Sequence, residues 1–471
     1  MKADRAYQWL PIPLQNLACS VYGYHLIRRR YGQGYQRVED EVFSREHWAP
    51  ERVKELSAGR LREVIRYAAR SVPYYRSLFA SLKLDPRDIR DPQALRLLPV
   101  LKKSTVQERI SEFRSDQWSS MRCTTAHTSG TTGSGLVFPL TLEAERGQWA
   151  IWWRYRARFG ISRRTWYAHF YGKSIVPLRQ TQPPFWRINW PGRQILFSGY
   201  HLADQYLPYY IDELNRRRPP WIQGYPSLLA LVADYILRTG STLTYRPRIV
   251  TIGAETLLEH QKAIIEKAFG APCRQHYGLT EGVANMSECP FGRLHVDEDF
   301  ACVEFEPAGE SLSQVVGTGY SNLAFPLIRY DTGDVAELDS GHNGSCPCGR
   351  PGRLVRRIDG RIEDYIVTPD GRRLGRLDHV FKDMLNVREC QIYQDREDRV
   401  VFRVVRGVNY TAEDERAIRH EARSRLGDGV AVDFAYVSEL ERTPRRKLRF
   451  VISELAKGKI DRPNLASTCC N

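Results

Sequence analysis

The sequence has no long hydrophobic run. No stretch reaches the roughly 18 uncharged apolar residues that a membrane-spanning helix needs. At the chain start, Asp4, Pro11 and Pro13 stand where a signal peptide requires an apolar segment. We therefore expect a cytoplasmic protein without stable membrane insertion, whose ten cysteines are mostly reduced thiols or metal ligands. Compositional bias is absent as well: 42% hydrophobic and 27% charged residues exclude a disordered or fibrous chain.

Acidic residues are outnumbered by basic ones, and the formal net charge is +15. Such a field attracts phosphates without sequence-specific contacts, as nucleic-acid-binding and membrane-surface proteins do. However, the basic residues are mostly arginines spread over the whole chain, with short groups at 28–30, 216–218 and 445–447 rather than one long tract. We interpret the charge as a solvated surface that also suits anionic substrates, and we expect no nucleic-acid partner.

The length of 471 residues exceeds what one compact core usually supports, which predicts a large domain carrying a smaller one. Helical patterns at about 44–80, 142–159 and 226–240 alternate with strand patterns at 248–255 and 300–307, and this alternation predicts an α/β fold. Residues 1–100 form a largely helical lead-in to the large domain, which we place at 1–362. Shorter strand and helix pieces in residues 363–471 predict a small α+β domain, with a hinge at Glu363.

The strongest local signal is the segment TTAHTSGTTGSG at 124–135, a run of small hydroxyl residues and glycines after a predicted strand. Glycines let the backbone fold close to a ligand, and successive N–H groups and hydroxyls can cradle phosphate oxygens. It is not the Walker pattern, because no Gly-Lys-Ser/Thr closes it. Taken alone, a loop of this composition is a flexible connection about as often as a phosphate site.

Further short motifs follow this loop. They are Gly-Ala-Glu at 253–255, HYGLTEG at 276–282, RYDTGD at 329–334, DGRIED at 359–364 and RTPRRKLR at 442–449. In this order and spacing they resemble the motifs of the adenylate-forming superfamily of acyl-CoA synthetases, and within it the phenylacetate-CoA ligase family and its capsular-polysaccharide-associated branch. Three more segments support the narrower placement: SVPYYRSLF at 71–79, GYPSLL at 224–229 and Cys-Pro-Cys-Gly-Arg at 346–350. The resemblance covers nearly the whole chain.

The resemblance implies an enzyme with a large adenylate-forming domain of mixed sheets and helices and a mobile C-terminal α+β lid domain. Such an enzyme uses ATP and magnesium to activate a small carboxylic acid as an acyl-adenylate, and coenzyme A is its usual acyl acceptor. The implied nucleotide-binding residues are Thr128, Ser129, Gly130, Thr131, Thr132, Gly133, Gly253, Ala254, Glu255, Tyr277, Gly278, Asp334 and Arg361. Among them the hydroxyl-rich loop would hold the β- and γ-phosphates, Gly253–Glu255 would line the adenine, and Asp334 would accept hydrogen bonds from the ribose hydroxyls.

Three residues carry the chemistry that the resemblance implies. Thr280 would bind the α-phosphate, and Glu281 would hold magnesium, a hard cation that prefers carboxylate oxygens. Lys447 matches the mobile lysine of the lid domain, which neutralises charge in the adenylation transition state. Three positions depart from the family pattern. Gly135 and Leu136 follow the phosphate loop without a lysine, Arg446 replaces the glycine that usually precedes the mobile lysine, and the hinge position is Glu363 instead of the usual aspartate.

A second cluster concerns metal binding. Cys289 and His295 lie six residues apart, and Cys346 and Cys348 form a Cys-Pro-Cys turn further along the chain. Three thiolates and one imidazole satisfy a closed tetrahedral zinc site, which is structural rather than catalytic. Members of the phenylacetate-CoA ligase family resemble this chain in having cysteines in these two places. Because the spacing is not that of a standard zinc finger, free buried cysteines are the alternative interpretation.

Other function classes stay open. The acyl acceptor could be an amine or hydroxyl group in capsular or exopolysaccharide biosynthesis instead of coenzyme A. A catalytically reduced nucleotide-binding homologue is a further alternative, for which Arg446 and the missing loop lysine argue. A basic nucleic-acid-binding module is a third, and a salt-dependent gel shift would reveal it. The sequence does not identify the acid or the oligomeric state.

Overall fold

A computed structural model describes residues 6–128, 135–172, 174–308, 312–339, 346–359, 365–374, 377, 380, 386–440 and 449–455. The described helices are α1 (Ile12–Tyr31), α2 (Tyr35–Ser44), α3 (Pro50–Ser71), α4 (Pro73–Leu82), α5 (Lys103–Glu108), α6 (Leu142–Ala157), α7 (Leu207–Arg217), α8 (Pro226–Thr239), α9 (Glu259–Phe269) and α10 (Ala412–Leu426). Short 3-10 turns at 86–88, 94–97, 110–113 and 118–120 connect the lead-in to the first strand.

The described strands are β1 (Cys123–His127), β2 (Val137–Thr141), β3 (Tyr167–Tyr171), β4 (Trp186–Asn189), β5 (Gln194–Ser198), β6 (Trp221–Gly224), β7 (Ile249–Gly253), β8 (Cys273–Gly278), β9 (Asn285–Glu288), β10 (Leu294–Val296), β11 (Ala301–Pro307), β12 (Ser313–Gly319), β13 (Tyr330–Leu338), β14 (Leu354–Asp359), β15 (Ile366–Val367), β16 (Arg373–Leu374), β17 (Val387–Arg396), β18 (Arg399–Arg406), β19 (Ala431–Tyr436) and β20 (Val451–Ser453).

Local sequence signals explain where the long helices begin and end. Proline at the first position opens α3, α4 and α8, where the missing N–H leaves no helical bond unmade. The side chain of Thr141 caps α6 by accepting a hydrogen bond from the Ala144 amide at 3.2 Å. Gly240 ends α8 with a φ of 71°, a left-handed conformation that glycine adopts without steric cost. The helical pattern at 44–80 corresponds to α3 and α4, with the break at Pro73, where α4 begins.

The large part of the chain is built on one mixed sheet of twelve strands. Its strand order is β11-β12-β13-β14-β10-β9-β8-β7-β6-β3-β5-β4. The neighbours from β5 through β3, β6 and β7 to β8 are parallel, and β8 to β11 and β4 with β5 pair antiparallel. The predicted α/β class with mixed sheets is therefore confirmed.

Helices cover both faces of the parallel strands. Alternate residues of β6 show this: Ile222 packs into a core with α7, α8 and α9, while Trp221 packs into a second core with α2 and α6. Side chains of successive strand residues point to opposite faces, so strands buried on both faces are apolar throughout. The aromatic residues of α6 serve this second core, where Trp153 is buried against Trp221 at a ring-centroid distance of 6.1 Å.

The C-terminal part has its own four-stranded sheet in the order β19-β18-β17-β20. Strands β17 and β18 form an antiparallel hairpin, and α10 packs Ile418 and Ala422 against Ile392 and Phe402 of these strands. The predicted boundary between residues 362 and 363, with its hinge at Glu363, lies outside the described residues. The domain limits 1–362 and 363–471 thus stay a prediction.

Candidate functional site

Three parallel strands end at one edge of the large sheet, and the motifs found in the sequence follow them. Strand β6 ends at Gly224, β7 at Gly253 and β8 at Gly278. Ligands of open α/β sheets bind outside the carboxyl ends of the strands, where loops converge and helix N-termini present unpaired N–H groups. GYPSLL, Gly-Ala-Glu and HYGLTEG are thereby brought to one edge.

The Gly-Ala-Glu segment turns sharply as β7 ends. Ala254 has a φ of +67°, which is rare for a residue with a side chain. A Cβ on Gly253 would lie 3.1 Å from the carbonyl oxygen of His276, so the strands approach closely here. The carboxylate of Glu255 accepts a hydrogen bond from the Ser227 amide in the first turn of α8, at 3.2 Å. Strain at Ala254 and this contact together fix the segment at the sheet edge.

His276 anchors β8 beneath the edge. Its ring stacks on Tyr155 at 5.6 Å between centroids, and Nε2 donates to Oδ1 of Asn285 at 2.8 Å. Burial lowers the pKa of His276 to about 4, so the ring is neutral at physiological pH. A neutral, hydrogen-bonded imidazole holds the strand that carries Tyr277 and Gly278 in a fixed position.

A bulge in β13 orients the side chain of Asp334 toward the edge of the sheet where β6, β7 and β8 end. Between two paired positions, β12 contributes only Val315 while β13 contributes Thr332, Gly333 and Asp334. Gly333 has a φ of +73°, and the Thr332 hydroxyl donates to the Val315 carbonyl at 2.8 Å. The extra residues bend the strand and reorient the following side chain, as bulges beside functional sites do. The Tyr277 hydroxyl then donates to Oδ2 of Asp334 at 2.9 Å.

Glu281 belongs to the same cluster. Its carboxylate lies near the hydroxyl of Tyr330, a buried residue at the start of β13, and adds to the effect of burial in raising the pKa of that phenol. The pKa of Tyr330 lies well above its usual range because of burial and the nearby carboxylates of Glu281, Asp331 and Asp334. Burial and the carboxylates of Asp334 and Glu281 likewise raise the pKa of Tyr277. Two neutral phenols therefore lie beside two carboxylates in one site.

Strands β1 and β2 flank the hydroxyl-rich segment in the sequence. Strands β1 and β2 pair antiparallel, and Thr128 closes the pairing twice: its amide donates to the Leu136 carbonyl at 2.9 Å, and its hydroxyl accepts from the Leu136 amide at 2.7 Å. Thr128 is buried, so its hydroxyl closes the hairpin from within. The remaining predicted loop residues lie outside the described residues; they are Ser129, Gly130, Thr131, Thr132 and Gly133.

The structure thus brings together Tyr277, Gly278, Glu281 and Asp334 of the predicted set. Thr280 is exposed beside Glu281. Arg361, Glu363 and Lys447 lie outside the described residues. Our sequence reasoning did not assign a role to Tyr330, although it stands inside the RYDTGD motif.

Arg329 was missed in the same motif. It has a φ of +52° and is buried, and its guanidinium binds the carboxylates of Glu304 and Glu306 at 2.9 and 2.8 Å. Its Nη1 also donates to the Leu98 carbonyl at 2.6 Å. These bonds hold a strained backbone directly before Tyr330, and hence position the phenol that contacts Glu281.

The four predicted metal ligands converge at the Glu288 end of β9, whereas Gly278 pairs with Asn285 at its other end. The ligand atoms of Cys289, His295, Cys346 and Cys348 all lie within 4.8 Å of one another. The Cys289 and Cys346 sulfurs are 3.7 Å apart, and Cys348 Sγ lies 3.4 Å from His295 Nε2. In a tetrahedral zinc site, bond lengths of about 2.3 Å to sulfur and 2.0 Å to nitrogen separate two sulfurs by about 3.8 Å and sulfur from nitrogen by about 3.5 Å.

The surroundings of the cluster also fit a metal. Nδ1 of His295 lies 3.2 Å from the Pro351 carbonyl, the kind of second contact that fixes the tautomer with Nε2 facing the metal. Just after the Cys-Pro-Cys turn, Arg350 donates to Asp297 at 2.9 Å, and Arg154 reaches the same carboxylate at 2.9 Å. These buried arginines hold the pKa of Asp297 well below its usual range against the opposing effect of burial. The turn is thereby tied to α6.

Comparisons with known proteins agree with this architecture. Residues 366–454 match the family of the CapK C-terminal domain. The chain is similar to Protein CapK of Staphylococcus aureus, with 25% identity over 466 residues that cover 95% of this chain and 99% of that protein. It is also similar to the phenylacetate-coenzyme A ligase of Thermus thermophilus, with 25% identity over 341 residues that cover 67% of this chain and 72% of that protein.

Among solved structures, 2-hydroxyisobutyryl-CoA ligase in complex with 2-HIB-AMP and CoA superposes with a TM-score of 0.53 and 20% identity, over 87% of this chain and 91% of that chain. At this identity the likeness shows the fold. The chain therefore has the fold of the adenylate-forming ligases and is similar in sequence to the phenylacetate-CoA ligases. Within that class its similarity to Protein CapK runs nearly end to end, which confirms the narrower recognition made from the motifs.

Proposed function

We propose that the chain activates a carboxylic acid with ATP to form an acyl-adenylate, releases pyrophosphate, and transfers the acyl group to the thiol of coenzyme A. The observation that carries this proposal is the convergence of Glu281 and Asp334, 53 residues apart in sequence, on the partly buried Tyr277 and the buried Tyr330 at the carboxyl edge of the sheet. Homology to phenylacetate-coenzyme A ligases supports the acid–thiol ligase activity.

In this proposal the sheet edge binds the nucleotide. The backbone of Gly253–Glu255 lines the adenine, and Asp334 accepts hydrogen bonds from the ribose hydroxyls. The Tyr277 phenol, which donates to Oδ2 of Asp334, fixes the orientation of this carboxylate before ATP binds. Preorganisation of this kind lowers the entropy cost of binding. Arg361 lies outside the described residues and stays a predicted contact to ribose and phosphate.

Glu281 would hold a magnesium ion, because a carboxylate is the ligand that this hard cation prefers. The Tyr330 hydroxyl lies near this carboxylate. Magnesium, when bound, supplies positive charge to the phosphate oxygens. Thr280, exposed at the same turn, would donate its hydroxyl to the α-phosphate in this proposal.

The substrate carboxylate attacks the α-phosphorus of ATP, and pyrophosphate leaves. The chain contributes orientation of both reactants and positive or hydrogen-bonding groups where charge develops, with Lys447 of the lid domain neutralising the carboxylate and α-phosphate. A rotation of the lid domain then brings the acceptor to the acyl carbon of the adenylate, and AMP leaves. Alternatively, an amine or hydroxyl group in capsular or exopolysaccharide biosynthesis accepts the acyl group in place of coenzyme A.

The proposal is tested by pyrophosphate release from ATP with a panel of aromatic, aliphatic and amino acids, repeated with coenzyme A and with amine acceptors. We expect release with at least one acid and at least a 100-fold decrease in Glu281→Gln, because one oxyanion-type or metal contact is worth about 3 kcal/mol. The control is Glu413→Gln, an exposed glutamate in the first turn of α10. ATP binding without pyrophosphate release from any acid would instead favour a nucleotide-binding homologue without turnover.

We also propose that Cys289, His295, Cys346 and Cys348 hold a structural zinc ion. Distances between the ligand atoms match a tetrahedral site, and all four ligands are protein side chains, which leaves no position for substrate. The site lies at the end of β9 away from the Tyr277 and Glu281 cluster. Its contribution is therefore to stability, and chelation should lower the melting temperature.

A further inference from the structure

Helix α1 turns its apolar side chains away from the protein. Leu14, Leu17, Val21 and Tyr24 recur at intervals of three and four residues, which places them on one face of the helix. They are 45%, 57%, 49% and 49% exposed. We call these four residues the α1 stripe. Surface helices of soluble proteins usually bury such a stripe, so an exposed one marks an interaction surface.

The opposite face of α1 is polar and binds the edge strand β4. Asn16 Oδ1 accepts a hydrogen bond from the Ile188 amide at 2.9 Å. Ser20 Oγ donates to the Ile188 carbonyl at 3.3 Å and accepts from the Trp190 amide at 3.2 Å. Gln15 is buried and its Oε1 accepts from Arg187 at 2.5 Å. Because these polar groups are committed to the sheet edge, the helix cannot rotate to bury its stripe.

Exposed aromatic side chains occur on α1, just before it and just after β4. Trp9, just before the helix, is 75% exposed, and the guanidinium of Arg179 lies 3.3 Å from its ring centroid. Trp190 follows β4 and is 60% exposed, and Tyr22 is 58% exposed. Tryptophan and tyrosine prefer the headgroup level of a bilayer, where one end of the ring is apolar and the other is hydrated.

The charged side chains of the segment that carries the stripe are basic, and Arg29 and Arg30 at its end pair with Glu145 of α6. From residue 5 to residue 38 the sequence contains no aspartate or glutamate. The face of the stripe continues, four residues after Tyr24, to the exposed Arg28. If two copies of this chain paired through α1, parallel or antiparallel, Arg28 would find no carboxylate on the partner's segment. Anionic lipid headgroups, in contrast, would pair with Arg28 and Arg179. The charge therefore favours a membrane over a dimer.

We propose that the α1 stripe, with Trp9 and Trp190, binds the surface of an anionic phospholipid bilayer. The helix lies in the plane of the interface and inserts its apolar side chains between the headgroups, while its polar face stays on β4. None of the described helices is long and apolar enough to cross a bilayer, so the association is peripheral. Under this proposal, part of the +15 net charge, which the sequence analysis interprets as a solvated surface, attracts anionic lipid.

The experiment compares sedimentation of the full chain with vesicles of phosphatidylcholine and phosphatidylglycerol and with vesicles of phosphatidylcholine alone. The test variant is Leu17→Gln with Val21→Gln. The control variant is Leu97→Gln with Val408→Gln, two residues 54% and 103% exposed elsewhere. All three proteins carry the same net charge, so any difference reports the apolar contribution. Equal melting temperatures check that both variants fold.

We expect wild type and control to bind the anionic vesicles alike, and the α1 variant to bind on the order of tenfold more weakly, because two inserted aliphatic side chains are lost. Equal binding by the α1 variant would show that the net charge alone attracts the protein, and would overturn the proposal. So would absence of binding to anionic vesicles at low salt. A wild-type dimer in analytical ultracentrifugation that the α1 variant abolishes, with vesicle binding unchanged, would assign the stripe to a second copy instead.

Discussion

At the residue scale, each of the two site carboxylates lies beside one phenol. Asp334 accepts a hydrogen bond from Tyr277, and Glu281 lies near Tyr330. We predict that Tyr277→Phe lowers kcat/KM for ATP in pyrophosphate exchange by about tenfold or more, since a hydrogen bond to a charged group is worth about 1.5–3 kcal/mol. The matched control is Tyr209→Phe, at an exposed position on α7. An unchanged kcat/KM in Tyr277→Phe would show that the hydrogen bond from Tyr277 to Asp334 does not contribute to ATP use.

A second prediction at this scale concerns acid sensitivity. The pKa of His276 falls from 6.5 to about 4 on folding, through burial. The unfolded chain therefore binds the proton more strongly, and stability is complete above pH 6.5 and is lost as the pH falls toward 4. At pH 5.5 this residue alone lowers the free energy of unfolding by about 1 kcal/mol.

The variant His276→Gln tests this prediction, because it removes the titrating group and keeps a donor for Asn285. Urea unfolding at pH 7.5 and pH 5.5 should show a smaller loss of stability in the variant than in wild type. Buried His201, whose pKa also falls to about 4 through burial, is present in both proteins and cancels in the comparison. An identical pH dependence would contradict the assigned protonation state.

Which site residues could be predicted depended on whether a motif existed to identify them. Glu281 and Asp334 were identified because the resemblance assigns them roles. Tyr330 and Arg329 stand in the same motif, yet their roles come from the position of a buried phenol beside Glu281 and from ion pairs with Glu304 and Glu306. Such contacts join distant segments, and no local pattern encodes them.

At the element scale, the turn that carries Cys346 and Cys348 is attached to the end of β9 through the candidate zinc ligands. We predict that Cys348→Ser lowers the melting temperature by several degrees, because loss of a structural metal ligand removes folding free energy. Adenylation should change little at temperatures where the variant is folded. Metal analysis of the purified protein should find about one zinc per chain in wild type. A metal-free wild type would favour the alternative of free buried cysteines.

Elements themselves were largely predictable. The helix predicted at 226–240 is α8, and the strand predicted at 248–255 is β7, because apolar periodicity and glycine or proline boundaries are local signals. The order of the strands could not be predicted from the sequence, because β10 lies between β9 and β14, and these two strands are more than sixty residues apart in the chain. Polar docking of α1 on β4 was also missed, since its outward apolar stripe resembles an ordinary core-facing pattern.

At the scale of the whole molecule, the proposed activity involves the C-terminal part, which matches the CapK C-terminal domain over residues 366–454. Lys447 falls in that range and lies outside the described residues, so its role rests on the motif. We predict that Lys447→Ala lowers the rate of pyrophosphate release at least 100-fold while ATP still binds, since the lysine acts mainly on the transition state. Arg446→Ala is the control for neighbouring charge. Full activity in Lys447→Ala would remove the mobile-lysine assignment.

The contact between α1 and β4 has a consequence for the solubility of shortened proteins. Strand β4 is the last strand of the large sheet, and Asn16 and Ser20 occupy its outward amide and carbonyl groups at Ile188. An uncovered edge is a template for pairing with another chain. Deleting the first 31 residues would expose this edge, and the resulting protein should self-associate through intermolecular strand addition even though its nucleotide site is intact.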